Sequence, residues 1–70
     1  MNADQWLAAF AKELGVAPPT EEAKRQLLEL AATAAHASER IAAPIACYLA
    51  GATGATLEDA RAAAERVGSD

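Results

Sequence analysis

The chain has one histidine, His36, and one cysteine, Cys47, the two side chains best suited to nucleophilic or acid–base chemistry. A thiol beside an imidazole can act as a nucleophile with its general base. However, no Asp or Asn stands where it would orient the imidazole, and a cysteine among alanines is typical of a small buried side chain. The sequence therefore predicts no catalytic residue and no enzymatic activity.

The sequence pattern also argues against metal and phosphate sites. A metal site needs three or four ligands at defined spacing, and one Cys with one His does not supply them. The Gly51–Gly54 segment, Gly-Ala-Thr-Gly, lacks the lysine of a phosphate-binding loop, and the acids Glu58 and Asp59 follow it. We therefore predict no cofactor and no metal, and we interpret this glycine segment as a simple turn.

Four residues that recur at a spacing of four form the candidate interaction or ligand face: His36, Arg40, Pro44 and Tyr48. Arg and Tyr are favoured at the hot spots of protein interfaces. The alternative interpretation is structural, with His36 at the edge of the core, Arg40 at the end of a helix and Tyr48 packed in the core. The sequence leaves both open.

Apolar spacing, prolines and glycines divide the chain into four helices. The first is predicted over Ala3–Leu14, and its bulky stripe is expected to supply much of the core (Trp6, Leu7, Phe10 and Leu14). The second is predicted over about 21–38, after Pro18 and Pro19 and the capping residue Thr20.

Pro44 is expected to break the chain before a third helix, because the residue that precedes a proline is biased away from helical geometry. That helix is predicted to follow a kink or short turn over about 38–43, to carry Pro44 in its first turn and to end near Ala50. The fourth is predicted from the cap Thr56 to Val67. Together these elements predict an all-α fold: a single domain over 1–70, built as a bundle of four short helices with a proline break between the second and third.

The amino-acid composition limits the kinds of partner that the chain is expected to bind. The net charge is −4, and the six scattered Lys and Arg residues argue against nucleic acid and anionic membranes. No apolar run is long enough to cross a bilayer, no signal peptide is apparent, and one cysteine cannot form an internal disulfide. We expect a cytoplasmic location. Alanine occupies 21 of the 70 positions, so the supply of bulky core residues is small, and we expect a protein partner or a homo-oligomer.

The segment A-H-x-x-x-R-x-A-A-P, present as residues 35–44, is the most specific part of a wider resemblance that covers roughly Gln5 to Val67. The chain resembles a small all-helical bacterial domain of unknown function. It is also similar to a segment appended to the C-terminus of some molybdenum-cofactor guanylyltransferases, the molybdopterin-guanine dinucleotide biosynthesis proteins. The resemblance implies no catalytic residues, and it implies an accessory role in molybdenum-cofactor assembly.

The leading hypothesis is therefore a non-enzymatic helical interaction module, with a molybdenum-cofactor guanylyltransferase as the candidate partner. The alternative is a small domain that binds an anionic ligand through Arg40 and His36. A regulatory, antitoxin-like role is disfavoured, because the sequence has neither a basic recognition helix nor a disordered binding tail.

Overall fold

The computed structural model describes residues 1–68 and contains four α-helices in that range. They are α1 (Ala3–Leu14), α2 (Glu21–Ala37), α3 (Ala42–Thr53) and α4 (Leu57–Val67). No β-strand occurs among the described residues. The predicted all-α bundle of four short helices is confirmed, and the predicted bounds of α1 and α4 agree with the structure.

Side-chain caps fix where three of the helices begin. The Asn2 side chain accepts from the amide of Gln5 at 2.8 Å, and the Gln5 side chain accepts from the Asn2 amide in return. Thr20 and Thr56 cap α2 and α4 through their hydroxyl oxygens. These contacts satisfy amide donors that the first turn of a helix leaves without an intrahelical partner.

The third helix is longer at both ends than the sequence predicts. It begins at Ala42, which places Pro44 third in the helix, where the missing proline N–H costs no hydrogen bond. The predicted break before Pro44 is confined to residues 38–41. At the other end, Gly51 lies inside α3, and Gly54 ends the helix with a left-handed φ of 70°. The predicted Gly51–Gly54 turn is therefore wrong in extent.

Helix α2 is the centre of the bundle, because α3 and α4 both pack against it. Leu30, at the middle of α2, is only 3 % exposed. An ion pair between Arg61 Nη2 and Glu29 Oε2, at 2.9 Å, joins α4 to α2. Within the described part of the chain, α3 and α4 do not pack closely on each other, so α2 alone holds them together.

The first helix packs less extensively than the sequence predicts. It meets the N-terminal half of α2 through the ion pair between Lys24 Nζ and Asp4 Oδ1 at 2.9 Å, and Ala11 is its one buried residue. At 100° per residue, Asp4 and Ala11 share one face, and Trp6 and Phe10 lie more than 100° from it. Trp6 is accordingly 54 % exposed and Phe10 47 %. The expectation that α1 supplies bulky core volume is wrong.

The uncovered α1 lengthens the molecule. Its longest dimension is 38 Å. The radius of gyration is 12.7 Å, compared with about 11 Å for a typical domain of this length. We refer to the outward side chains Trp6, Phe10 and Leu14 as the α1 stripe.

Candidate functional site

An apolar surface covers the side of α3 that faces away from α2. Helix α3 contains no charged residue, and a helix that is apolar around its whole circumference is normally buried on all sides. Here Ala50 is buried, but the opposite side is open, with Tyr48 71 % exposed and Ile41, in the preceding turn, 73 % exposed. We call this surface the α3 outer face: Ile41, Pro44, Ile45 and Tyr48.

Three of the four sequence-predicted site residues lie on or beside this face. Pro44 and Tyr48 belong to it, and Arg40 is exposed in the turn that precedes α3. Among residues 1–68, the Arg40 side chain has no hydrogen bond or ion pair, and Ser38, not Arg40, is the capping residue at the end of α2. The alternative in which Tyr48 packs in the core is wrong.

His36, the fourth predicted site residue, does not lie on the α3 outer face. It is exposed on the last turn of α2 and lines a shallow depression of about 380 Å³ that also includes Thr33 and, on α4, Glu65. Arg40, Pro44 and Tyr48 do not line it. A carboxylate beside His36 would repel an anion, so the geometry gives no support to the Arg40–His36 ligand pair, which stays a prediction.

The Cys47 thiol is half-buried and points at α2. Its Sγ donates to the carbonyl oxygen of Leu27 at 3.9 Å. Leu27 and His36 are nine residues apart, about 13 Å along the α2 axis. The structure therefore places the thiol and the imidazole at different levels of the bundle.

An apolar groove runs between α3 and α4, with α2 as its floor. Its volume is about 610 Å³. We call it the alanine groove, and each helix contributes a pair of residues spaced by four: Leu30 and Ala34 on α2, Ala46 and Ala50 on α3, and Ala60 and Ala64 on α4. This groove was not predicted from the sequence, although alanines recur at helical spacing on successive helices.

The polar side of the molecule is a network on α2. Arg25 bonds both Glu22 and Glu29, and Lys24 pairs with Glu21 at 2.7 Å as well as with Asp4. Hydrogen bonds from Arg25, then Gln26, hold the pKa of Glu22 below its ordinary value, and the bonds to Glu21 and then Asp4 raise the pKa of Lys24. This network marks a solvated surface away from the apolar faces.

The chain exposes more surface than a monomer of its size normally does. Its accessible surface is 5425 Å². The usual scaling for a folded monomer gives about 4100 Å² for the same mass, a difference of about 1300 Å². The α1 stripe, the α3 outer face and the alanine groove all contribute exposed apolar area.

The described residues provide neither a metal-binding cluster nor a membrane-spanning helix. No group of three or more His, Cys, Asp or Glu side chains in residues 1–68 is arranged to hold a metal ion. None of the helices in this part of the chain combines the length and the apolar character needed to cross a bilayer.

The sequence matches one family model, the domain of unknown function DUF6457, over residues 1–69. The chain belongs to this family. No curated protein and no solved structure matches the chain significantly. The DUF6457 description names no activity, so the relation to molybdenum-cofactor guanylyltransferases stays a prediction from the sequence.

Proposed function

We propose that this DUF6457 domain is a non-enzymatic interaction module that docks on a protein partner through the α3 outer face. The observation that carries the proposal is the contrast between the two sides of α3. One side is packed on α2, and the other exposes Ile41, Ile45 and Tyr48 to water although the helix has no charge to solvate it.

The chemistry of the face is that of a protein interface. Its centre is aliphatic, Tyr48 adds an aromatic ring with a hydroxyl, and Arg40 stands at the edge. Tyr and Arg are enriched at hot spots, where an apolar centre is surrounded by polar groups. A partner with an apolar patch and an acidic residue at its edge would complement this arrangement.

The class of partner is inferred from the resemblance of the sequence to segments appended to molybdenum-cofactor guanylyltransferases. We propose that it is a molybdenum-cofactor guanylyltransferase, and that the domain acts beside that enzyme in the cytoplasm as an accessory module. The domain contributes a binding surface, and the nucleotide chemistry stays with the enzyme.

The test is a binding measurement between the full chain and a purified guanylyltransferase by titration calorimetry. We expect saturable binding that Tyr48→Glu and Ile45→Glu weaken by about thirtyfold or more, because each places a charge at the centre of the interface. Leu28→Glu is the matched control, since Leu28 is an equally exposed apolar residue on α2, outside the face.

Two results would overturn the proposal. One is the lack of binding to the guanylyltransferase by a chain that circular dichroism shows to be folded. The other is binding that Tyr48→Glu and Leu28→Glu weaken to the same extent, because the α3 outer face would then have no special part in it.

A further inference from the structure

The alanine groove is an open position that α1 of the same chain does not fill. Helices α2, α3 and α4 form a floor and two walls, and a four-helix bundle places its remaining helix in such a groove. In this chain the first helix does not lie there. The ion pair between Asp4 and Lys24 places α1 beside the N-terminal half of α2, whereas the α2 residues of the groove begin at Leu30.

We propose that the α1 stripe of a second copy of the chain fills the alanine groove, and that the two copies do this reciprocally. The stripe is convex and bulky. The groove is concave and lined mostly by small side chains, although Leu49, Val67, Asp59 and Arg66 also line it, so large residues would meet mainly small ones across the contact. The stripe points away from its own α2, and it is therefore available to another molecule.

The length of α1 matches the length of the groove. Helix α1 has 12 residues and α4, one wall of the groove, has 11. At 1.5 Å per residue these helices are about 18 Å and 16 Å long, so one helix spans the groove from end to end.

The exposed area favours a second copy as the occupant. Each chain exposes about 1300 Å² more than a typical monomer, so two chains expose about 2600 Å² in excess, a total that includes the α3 outer face as well as the stripe and the groove. Obligate homodimers bury 2000–5000 Å² in total, roughly the amount needed here. Because each chain carries both the stripe and the groove, a two-fold symmetric pair covers both at once and leaves no open end.

Sedimentation equilibrium of the full chain across a dilution series tests the assembly. We expect a molar mass about twice the 7.2 kDa of the chain at high concentration. Trp6, the single tryptophan, reports the same event, because its emission should shift to the red on dilution as the stripe becomes exposed. Phe10→Glu should weaken the dimer about thirtyfold or more, and Leu28→Glu should leave it unchanged.

Disulfide cross-linking locates the contact independently of any disruptive substitution. In a Cys47→Ala background, chains carrying Phe10→Cys are mixed with chains carrying Ala63→Cys, a position on the groove wall. We expect a mixed disulfide dimer, and a mixture of Leu28→Cys with Ala63→Cys chains should not form one.

Three results would overturn this proposal. They are a chain that stays monomeric with Trp6 exposed, a monomer in which Trp6 is already buried by its own groove, and a dimer that Phe10→Glu does not weaken and that yields no mixed disulfide. The last would mean that the two copies pair through a surface other than the stripe and the groove. None of these results affects guanylyltransferase binding that depends on Tyr48, so the two proposals fail separately.

Discussion

Lys24 Nζ lies 2.9 Å from Asp4 Oδ1, and this ion pair is the polar contact that joins α1 to α2 across 20 positions of sequence. Lys24 also bonds Glu21 within α2, so one ammonium group serves two carboxylates on two helices. The contact is at the surface, where ion pairs are weak and screened by salt. It orients α1 without burying the α1 stripe.

Asp4→Asn should loosen α1 while leaving the other helices folded, because the pair with Lys24 loses its charge. We expect faster amide hydrogen exchange in 3–14 and lower Trp6 anisotropy, measured at dilutions where the chain is monomeric. High salt should have the same effect on the unsubstituted chain. Glu58→Gln, a charge change on α4, is the control, and α1 exchange that does not respond to Asp4→Asn would contradict the prediction.

Leu30→Ala should destabilise the chain more than any other single truncation of a leucine. Leu30 is 3 % exposed at the centre of α2, and Leu→Ala in a core costs about 2–5 kcal/mol. A domain this small has only about 3–5 kcal/mol of stability from its core, so urea titration should find the variant largely unfolded.

Leu28→Ala, two positions away on the exposed side of α2, is the matched comparison for Leu30→Ala. It should change the free energy of unfolding by less than about 0.5 kcal/mol. Equal effects of the two substitutions would mean that α2 does not bury the side on which Leu30 lies.

The two glycines of the Gly51–Gly54 segment should respond in opposite directions to alanine. Gly51 lies inside α3 with open space where a Cβ would stand, so Gly51→Ala should stabilise the chain by about 0.5–1 kcal/mol. Gly54 has φ 70°, and Gly54→Ala should destabilise it by about 1 kcal/mol. Thermal unfolding measures both changes. If both substitutions destabilise the chain, Gly51 does not lie inside a helix, and the turn predicted from the sequence would be correct.

Acid should weaken the α2 network. The hydrogen bond from Arg25, followed by that from Gln26, lowers the pKa of Glu22 below its ordinary value of 4.5. A carboxyl group whose folded pKa is lowered contributes stability above its unfolded pKa and loses it as the pH falls through the lowered value. Melting temperature should therefore fall as the pH is lowered below about 4.5.

Arg25→Gln should reduce this fall, because it removes the partner that lowers the pKa of Glu22. Arg40→Gln is the matched control, since Arg40 has no ion pair among the described residues. An equal fall in melting temperature at acid pH in the unsubstituted chain, Arg25→Gln and Arg40→Gln would contradict this account.

At alkaline pH the stability depends on Lys24. Its raised pKa gives stability that is present below 10.5 and is lost as the pH rises through the raised value.

The sequence by itself determined the helices and their ends. Local chemistry is sufficient for this: Thr20 and Thr56 cap through their own hydroxyls, Gly15 and Gly68 take left-handed φ values, and two prolines separate α1 from α2. It placed Pro44 in the first turn of α3 for the same reason. It failed at Gly51, because a glycine inside a helix and a glycine that ends one look alike in sequence, and only the backbone conformation, with a φ of 70° at Gly54, separates them.

Only the tertiary structure decided which apolar faces are covered. Periodicity identifies an apolar stripe on α1 and an apolar helix α3. It does not show which side of each helix packs against another helix and which side faces water. The structure turns Trp6 and Phe10 away from α2, leaves Tyr48 in water and separates His36 from the α3 outer face. Burial depends on contacts between distant segments, and in an alanine-rich chain many helix faces are nearly equal in apolar character, so sequence spacing alone cannot rank them.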